Sequence, residues 1–350
     1  MTTAGPVPGT DALRHASLES SGLPARILAV LRGGGAATLG DLCRPPAGAE
    51  TLDADDRALL GRVAGYACAA CAGRPPPLNL PEWLALFLPP RLADAVQIHF
   101  GLREPEPALQ EAPLRDTGFK LNVSRERARQ LIELACGFLH QALPLRAAES
   151  LYRAAERSLH EAGGVLDGPG LARLRDRPEW GGAAPGGACL LLARLTPGRL
   201  TLYRGFFSAF SAPLVERAEK ALRDRLNAAR GLLPLAEIAA GLPRSARPPG
   251  VPSAEPLLFA LLRHLPDVLV TRDGRAGRAD RAGGELLREI LAAGEAPLRG
   301  LVDSFNERLY PECRRGSGYV RDTLQHDPQV RKPVPGRYVL PGGLQAGLPL

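Results

Sequence analysis

The chain has 350 residues, a length that suggests two to four small domains. A formal net charge of +7 points to an anionic partner, and the 45% hydrophobic fraction can fill protein cores. The sequence contains no run of about 18 apolar residues and no basic N-terminal segment followed by an apolar one. It therefore indicates neither a membrane span nor a secretion signal, and we expect a soluble, cytoplasmic protein.

The N-terminal part is predicted to be helical after a disordered tail over residues 1–20, which are polar and contain Pro and Gly. A helical module over 21–73 follows, with a helix that the Gly33–Gly35 run ends and a second helix that Thr38 caps. The Pro-rich stretch 74–81 is predicted to link this module to a compact helical one over 78–145.

Beyond residue 145 the pattern alternates between helices and hairpins. The segment 189–210 is predicted to form two strands around Thr196-Pro197-Gly198, and another hairpin is predicted to turn at Asp273-Gly274. A winged helix has several helices followed by a hairpin. We predict one winged helix in each of the segments 146–211, 212–282 and 283–342, and a tail over 343–350. The fold class expected is therefore mainly α: tandem small helical domains of DNA-binding type, namely helix-hairpin-helix-like, helix-turn-helix and winged helices with short β-hairpins.

Residues 113–135 carry the most informative pattern. A short helix places Leu114 and Thr117 on one face, Leu121-Asn122-Val123 breaks it, and Ser124 caps an amphipathic second helix. Asn tolerates the left-handed backbone that a tight turn needs. Between 113 and 132, five basic residues stand against two acidic ones: Arg115, Lys120, Arg125, Arg127 and Arg129 against Asp116 and Glu126. This combination is typical of a helix-turn-helix that enters a major groove.

The segment VSRERARQ (123–130) resembles the recognition helix of region 4 in sigma-70 family factors, which usually reads VSRERVRQ. LPPRLADAVQIHFGL (88–102) resembles the helix that precedes this motif, although His99 stands where Arg is usual and Asn122 where Gly is usual. The resemblance implies base contacts and phosphate contacts from one candidate DNA-binding set. Its base readers are Arg125, Glu126, Arg129 and Gln130, its phosphate contacts are Arg127 and Arg115, and Lys120 and Ser124 belong to the same motif.

Two further segments resemble parts of the transcription machinery. LPARILAVLRGGGAATLGDL (23–42) resembles the start of the C-terminal domain of the RNA polymerase alpha subunit, which implies that Arg26 contacts DNA; an interaction module without a DNA role is the alternative. Residues 293–340 resemble a winged helix of the HARE type, which implies that Arg314, Arg315 and Arg321 face phosphates unless this winged helix binds protein. Arg272, Arg275 and Arg278 are expected on the wing of the preceding unit.

The sequence shows no motif for catalysis, metal binding or a cofactor. Cys68-Ala-Ala-Cys71 lacks a second ligand pair at zinc spacing, and the six histidines are scattered. The six cysteines form no disulfide framework and are expected to be reduced. No enzyme activity, metal, cofactor or small-molecule ligand is therefore expected.

These observations favour a transcription regulator with double-stranded DNA as its partner. It is not expected to melt promoters by itself, because no aromatic-rich helical region for that step precedes the motif. Two alternatives remain open: an adaptor that binds RNA polymerase or a sigma factor with little DNA contact, and a non-catalytic specificity subunit of a larger enzyme such as a nuclease or helicase.

Overall fold

The computed structural model describes residues 10–44, 47–104, 109–250 and 253–340. The expected fold class is confirmed, since this part is mainly helical, with 60% helix in 17 helices and several small antiparallel sheets. Contacts divide the chain into two compact units, one with residues up to 162 and 166–209, the other with 163–165 and the residues from 210 onward. The finer domain borders expected from the sequence stay predictions. None of the described helices combines the length and apolarity that crossing a lipid bilayer requires.

The first unit contains the helices and strands up to residue 209, apart from Val165 at the start of β1, which is grouped with the second unit. Its helices are α1 Thr10–Arg14, α2 Ala25–Gly33, α3 Ala54–Cys71, α4 Leu80–Phe87, α5 Pro90–His99, α6 Leu114–Lys120, α7 Arg125–Leu139, α8 Ala142–Ala147, α9 Glu149–Glu161, α10 Gly168–Ala172 and α11 Pro185–Leu195. The strands are β1 Val165–Leu166, β2 Thr201–Tyr203 and β3 Phe206–Ser208, and they form a sheet of order β1-β3-β2.

The second unit repeats this mixture of helices and short strands. Its elements are α12 Ala212–Ala228, β4 Leu233–Pro234, α13 Leu235–Ala240, α14 Glu255–Arg263, β5 Val268–Val270, β6 Arg275–Arg278, α15 Ala279–Leu291, β7 Ala296–Pro297, α16 Leu298–Glu307, α17 Ser317–His326 and β8 Arg337–Tyr338. The sheets have the orders β4-β6-β5 and β7-β8.

Local sequence signals explain where several of these helices begin. The carboxylate of Asp53 accepts a hydrogen bond from the backbone N–H of Asp56 and caps α3. Asn79 and Glu82 form a reciprocal capping box at the start of α4. Thr38 and Asp41 do the same for the segment Leu39–Cys43, which is a short 3₁₀ helix. The helix start predicted at Thr38 is thus confirmed.

One continuous hydrophobic core joins the helices of the first unit. Trp83 of α4 is fully buried in it, and its indole N–H donates a hydrogen bond of 2.9 Å to the carbonyl oxygen of Pro144 in α8. Trp180 is also fully buried. A tryptophan whose ring is packed and whose N–H is bonded fixes the neighbouring elements in position.

Two predictions about local structure are wrong. Residues 10–20 are not a disordered tail, because α1 packs on α3 and both Leu13 and Leu18 are buried. Residues 1–9 and 341–350, which include the predicted C-terminal tail, lie outside the described residues.

The segment from residue 189 to 195 is helical rather than a strand. It belongs to α11, and nearly every side chain of that helix is buried. A helix buried on all sides shows no alternation of polar and apolar residues, so its apolar run resembles a strand. The hairpin lies further on, with its turn at Arg204-Gly205, both at positive φ. The hairpin predicted at Asp273-Gly274 is confirmed, with Val270 opposite Ala276.

Candidate nucleic-acid interface

The helix-turn-helix predicted from the sequence is present in α6, the turn at 121–124 and α7. Asn122 adopts the left-handed backbone expected there, with φ of 54°. At Gly118 an added Cβ would lie 2.9 Å from the carbonyl oxygen of Val123, so a residue without a side chain lets the turn close. The hydroxyl of Ser124 accepts a 3.1 Å hydrogen bond from the backbone N–H of Arg127 and caps α7.

Helix α7 has one buried face and one exposed face. The side chains that it buries are Ala128, Leu131, Ile132, Ala135 and Leu139. The side chains exposed near its N-terminus are Arg125, Glu126, Arg127, Arg129 and Gln130. The separation of faces expected from the sequence is therefore confirmed, and the polar face can be reached from solvent.

The exposed face of α7 carries an ion-pair network that the sequence analysis missed. The Arg129 guanidinium donates to Glu126, with an Nε–Oε2 distance of 3.0 Å, and to Glu133, with an Nη1–Oε1 distance of 2.6 Å. These hydrogen bonds raise the pKa of Arg129, and the bond from Arg129 lowers the pKa of Glu126. Such solvent-exposed pairs contribute little to stability, so Arg129 can exchange them for another anion at small cost.

The remaining polar side chains of the motif differ in whether they form hydrogen bonds within the protein. The guanidinium of Arg127 bonds to the side-chain oxygen of Gln130 at 3.1 Å, and the Lys120 ammonium bonds to Glu104 at 2.9 Å. Arg115 and Arg125 have exposed side chains. Ser124 uses its oxygen in the cap, which leaves its O–H available as a donor. The motif's predicted contact residues thus lie on α6, the turn and α7.

Arg26 lies outside this motif and has a structural partner. Two of its guanidinium nitrogens bond to the carboxylate oxygens of Asp56, whose side chain is only 5% exposed. The pair joins α2 to α3, and the hydrogen bond that Arg26 donates to Asp56 raises the pKa of Arg26. Sequence reasoning could not identify this partner, because the two residues lie 30 positions apart.

We expect Arg26→Ala to lower the thermal midpoint of unfolding and to leave DNA affinity unchanged. The substitution leaves the carboxylate of Asp56 buried without its cation, which destabilises the folded state. Thermal unfolding and fluorescence anisotropy with a labelled duplex measure the two effects, and Arg57→Ala, which removes an exposed arginine from α3, is the matched control. An unchanged midpoint with lost DNA binding would instead support a minor-groove contact by Arg26.

His99 joins α5 to the helix-turn-helix. Its buried ring contacts the carboxylate of Glu111, with an Nε2–Oε2 distance of 3.3 Å, and the hydroxyl of Thr117, with an Nδ1–Oγ1 distance of 3.5 Å. The hydrogen bond with His99 lowers the pKa of Glu111. His99 thus supports the placement of α6.

Phe119 and Leu134 are unusual because they are large apolar side chains exposed to solvent. The exposed fraction is 87% for Phe119 on α6 and 49% for Leu134 on α7. The sequence offered a signal for Phe119, since it lies off the face that Leu114 and Thr117 share. Exposed apolar side chains indicate a contact with a partner where they form one contiguous patch.

The order helix, strand, helix, helix, hairpin runs from α9 to β3 and again from α12 to β6. From α15 to β8 the order is the same, with a single final strand. The three repeats differ in how far the helix before the final strands, which is α11, α14 or α17, is exposed to solvent. In α11 nearly all residues are buried, and no described side chain of α14 is exposed, whereas α17 exposes residues such as Arg321 and Gln325. Only α17 is therefore open to a large ligand among these three helices.

Most arginines expected on the wing or facing phosphates are bound within the second unit. Arg272 donates to the carbonyl oxygen of Leu309, and Arg315 to those of Pro266 and Val268. Arg275 and Arg278 form ion pairs with Glu289 and Asp280, respectively. Arg314 and Arg321 have exposed side chains, as do Arg331 and Lys332 in the loop before β8.

Within the part of the chain that the structure describes, no three His, Cys, Asp or Glu side chains are grouped so that they could hold a metal ion. Comparison with known proteins finds no family model, no curated protein and no solved structure that matches the chain.

Proposed function

We propose that the protein is a sequence-specific DNA-binding transcription regulator that does not melt promoters by itself. The observation that supports this function best is the exposed polar face of α7, on a helix that a tight turn and an apolar back hold against α6. In helix-turn-helix proteins the second helix lies in the major groove with its N-terminal residues on the base edges.

The side chains on this face have the hydrogen-bonding groups that base recognition needs. Arg125 and Arg129 can each donate two parallel bonds to guanine, and Gln130 can pair with adenine in the same way. Glu126 can accept from the amino group of cytosine. Arg127 and Arg115 are proposed phosphate contacts. Phosphate contacts are expected to provide most of the affinity, and the base contacts its sequence preference.

The last winged helix is proposed as a second, weaker DNA contact. Its helix α17 exposes Arg321, the loop before β8 exposes Arg331 and Lys332, and Arg314 is exposed just before α17. These cations suit phosphate contacts, which carry no sequence information of their own. The helices α11 and α14 occupy the same position in the two earlier winged helices, but their side chains are mostly buried. We therefore do not propose that either helix enters a groove of DNA.

An adaptor that binds RNA polymerase or a sigma factor is the second candidate function. It is favoured by the exposed Phe119, together with Leu134 on the same helix-turn-helix. A pull-down after nuclease treatment separates the two functions: retention of polymerase without any gel shift would favour the adaptor.

Selection of bound fragments from random duplex DNA tests the proposed function. We expect a short shared sequence to be enriched and its affinity to fall as salt rises, since phosphate neutralisation releases counterions. Failure to bind any duplex at low salt would contradict the proposal.

We expect Glu133→Gln to tighten DNA binding. The change removes a negative charge from the exposed face of α7 and frees one side of the Arg129 guanidinium, which now bonds to Glu133. Anisotropy titrations of wild type and variant with one selected duplex measure the effect, and Glu161→Gln on α9 is a control with the same charge change. Equal affinity of the Glu133 variant and wild type would indicate that this part of α7 does not approach DNA.

A further inference from the structure

A cavity in the first unit lies where three segments that are distant in sequence meet. It is lined by the start of α4, by the end of α5 with the residues that follow it, and by the loop 181–183. Its volume is about 380 Å³, within the range of roughly 300–1,000 Å³ that is typical of small-molecule sites. The sequence carries no signal for this cavity, because the three segments come together only in the folded chain.

The loop 181–183 forms one wall of the cavity and is fixed on two sides. An added Cβ at Gly181 would lie 2.8 Å from Cγ of Asn79 and 2.9 Å from Cδ of Pro81, and φ of Gly181 is 56°, so glycine is what lets the loop pack against the start of α4. On the other side, the backbone N–H of Ala184 donates a hydrogen bond of 2.8 Å to the carbonyl oxygen of Leu102. The cavity is therefore formed before any ligand enters it.

Most of the residues that line the cavity are apolar. Leu80, Leu84 and Leu102 are among them and are almost fully buried, and Pro81 and Ala183 complete the apolar part of the lining. An apolar group that enters the cavity leaves water and gains contacts with these side chains, and both effects favour its binding. The cavity therefore suits the apolar body of a small molecule.

The polar groups of the cavity favour a negative charge. Among the described residues that line it, Arg103 is the only charged one, and none carries a carboxylate. Arg103 uses Nη2 in an ion pair of 2.7 Å with Asp94, which is not part of the lining, so its Nε and Nη1 can still bind an anion. The Arg103 side chain is 62% exposed, which places its charge at the mouth of the cavity. The amide of Gln97 is a neutral donor in the same lining.

We propose that this cavity binds a small monocarboxylate with an apolar body. The apolar body occupies the leucine-lined part, and the carboxylate lies at the mouth, where it accepts charge-assisted hydrogen bonds from Arg103. A neutral molecule of the same shape lacks the charge that strengthens these bonds, and a cation is repelled by the guanidinium. The site shares no residue with the helix-turn-helix, so it does not depend on the proposed DNA binding.

Titration of the full-length chain with phenylacetate and with octanoate, in the absence of DNA, tests the proposal. The two tryptophans of the chain are suitable probes, since Trp83 and Trp180 directly precede residues that line the cavity. We expect a saturable change in their fluorescence with both carboxylates. Arg103→Gln should weaken this binding about tenfold or more, the loss typical of a hydrogen bond to a charged group, and should leave the binding of phenylacetamide unchanged. Arg91→Gln, which removes an exposed arginine of α5 outside the lining, should bind both carboxylates as wild type does.

NMR of methyl groups in the wild-type chain locates the bound carboxylate. The largest shift changes are expected at Leu84, Leu102 and Ala183. Three results would overturn the proposal: no saturable change with either carboxylate, largest shift changes at methyl groups away from this cavity, or equal affinity of wild type and Arg103→Gln for both carboxylates. The first two are measured on the unaltered chain, so they do not depend on whether a variant folds.

Discussion

Arg129→Ala is expected to weaken binding to the preferred duplex on the order of tenfold to a hundredfold, the loss typical for a bidentate contact to a base. Arg125→Ala should cause a loss in the same range. The Arg129 change should be the larger, because Glu126 and Glu133 then face the DNA without the cation that now pairs with both. Anisotropy titrations with the selected duplex and with single-base variants of it measure the losses.

A second substitution tests whether the loss in Arg129→Ala comes from the carboxylates left without their cation or only from the lost positive charge. In the background of Arg129→Ala, Glu133→Gln should recover part of the lost affinity, since it removes one of the two uncompensated carboxylates. Arg153→Ala, which removes an exposed arginine from α9, is the control for net charge. If the Arg125, Arg129 and Arg153 variants all bind like wild type, the assignment of α7 as the DNA reader is wrong.

Trp83→Ala is expected to lower the free energy of unfolding of the first unit by about 3–5 kcal/mol, the range measured for removal of a large buried aromatic side chain. The ring is fully buried in the core, and its N–H bonds to the carbonyl oxygen of Pro144, so the substitution leaves a cavity and removes one of the two hydrogen bonds that this oxygen accepts, the other coming from the backbone N–H of Ala148. Chemical denaturation measures the loss, with the fluorescence of Trp180, which is also in the first unit, as the probe.

Trp83→Phe is the matched variant for this position. It keeps much of the packing and removes the hydrogen bond, so its loss should be clearly smaller than that of the Ala variant. Because α8 contacts both α4 and α7, DNA binding by Trp83→Ala should also become more sensitive to temperature. A loss below about 1 kcal/mol for Trp83→Ala would contradict the central place given to this residue in the core.

The features that sequence predicted well are those fixed by neighbouring residues. The helix-turn-helix follows from the breaking residue Asn122, the cap Ser124 and the apolar spacing of α7, and all three are present. The hairpin at Asp273-Gly274 depends in the same way on a short turn, in which Gly274 adopts a positive φ.

The features that sequence missed depend on tertiary packing. The partner of Arg26 is supplied by another helix, and Glu104 reaches Lys120 from 16 positions away. The helix α11 resembled a strand because burial on all sides removed its polar face. The ion pair of Arg129 with Glu133 has the i, i+4 spacing that favours such pairs on a helix, so the sequence does carry a signal for it.

Photo-crosslinking from α7 tests the central claim most directly. A photoreactive amino acid in place of Gln130, in the full-length chain bound to its selected duplex, should cross-link to the bases of that duplex. The same residue in place of Arg153 on α9 should give no such product. Binding of the duplex without any cross-link from position 130 would show that α7 does not lie against DNA and would contradict the account.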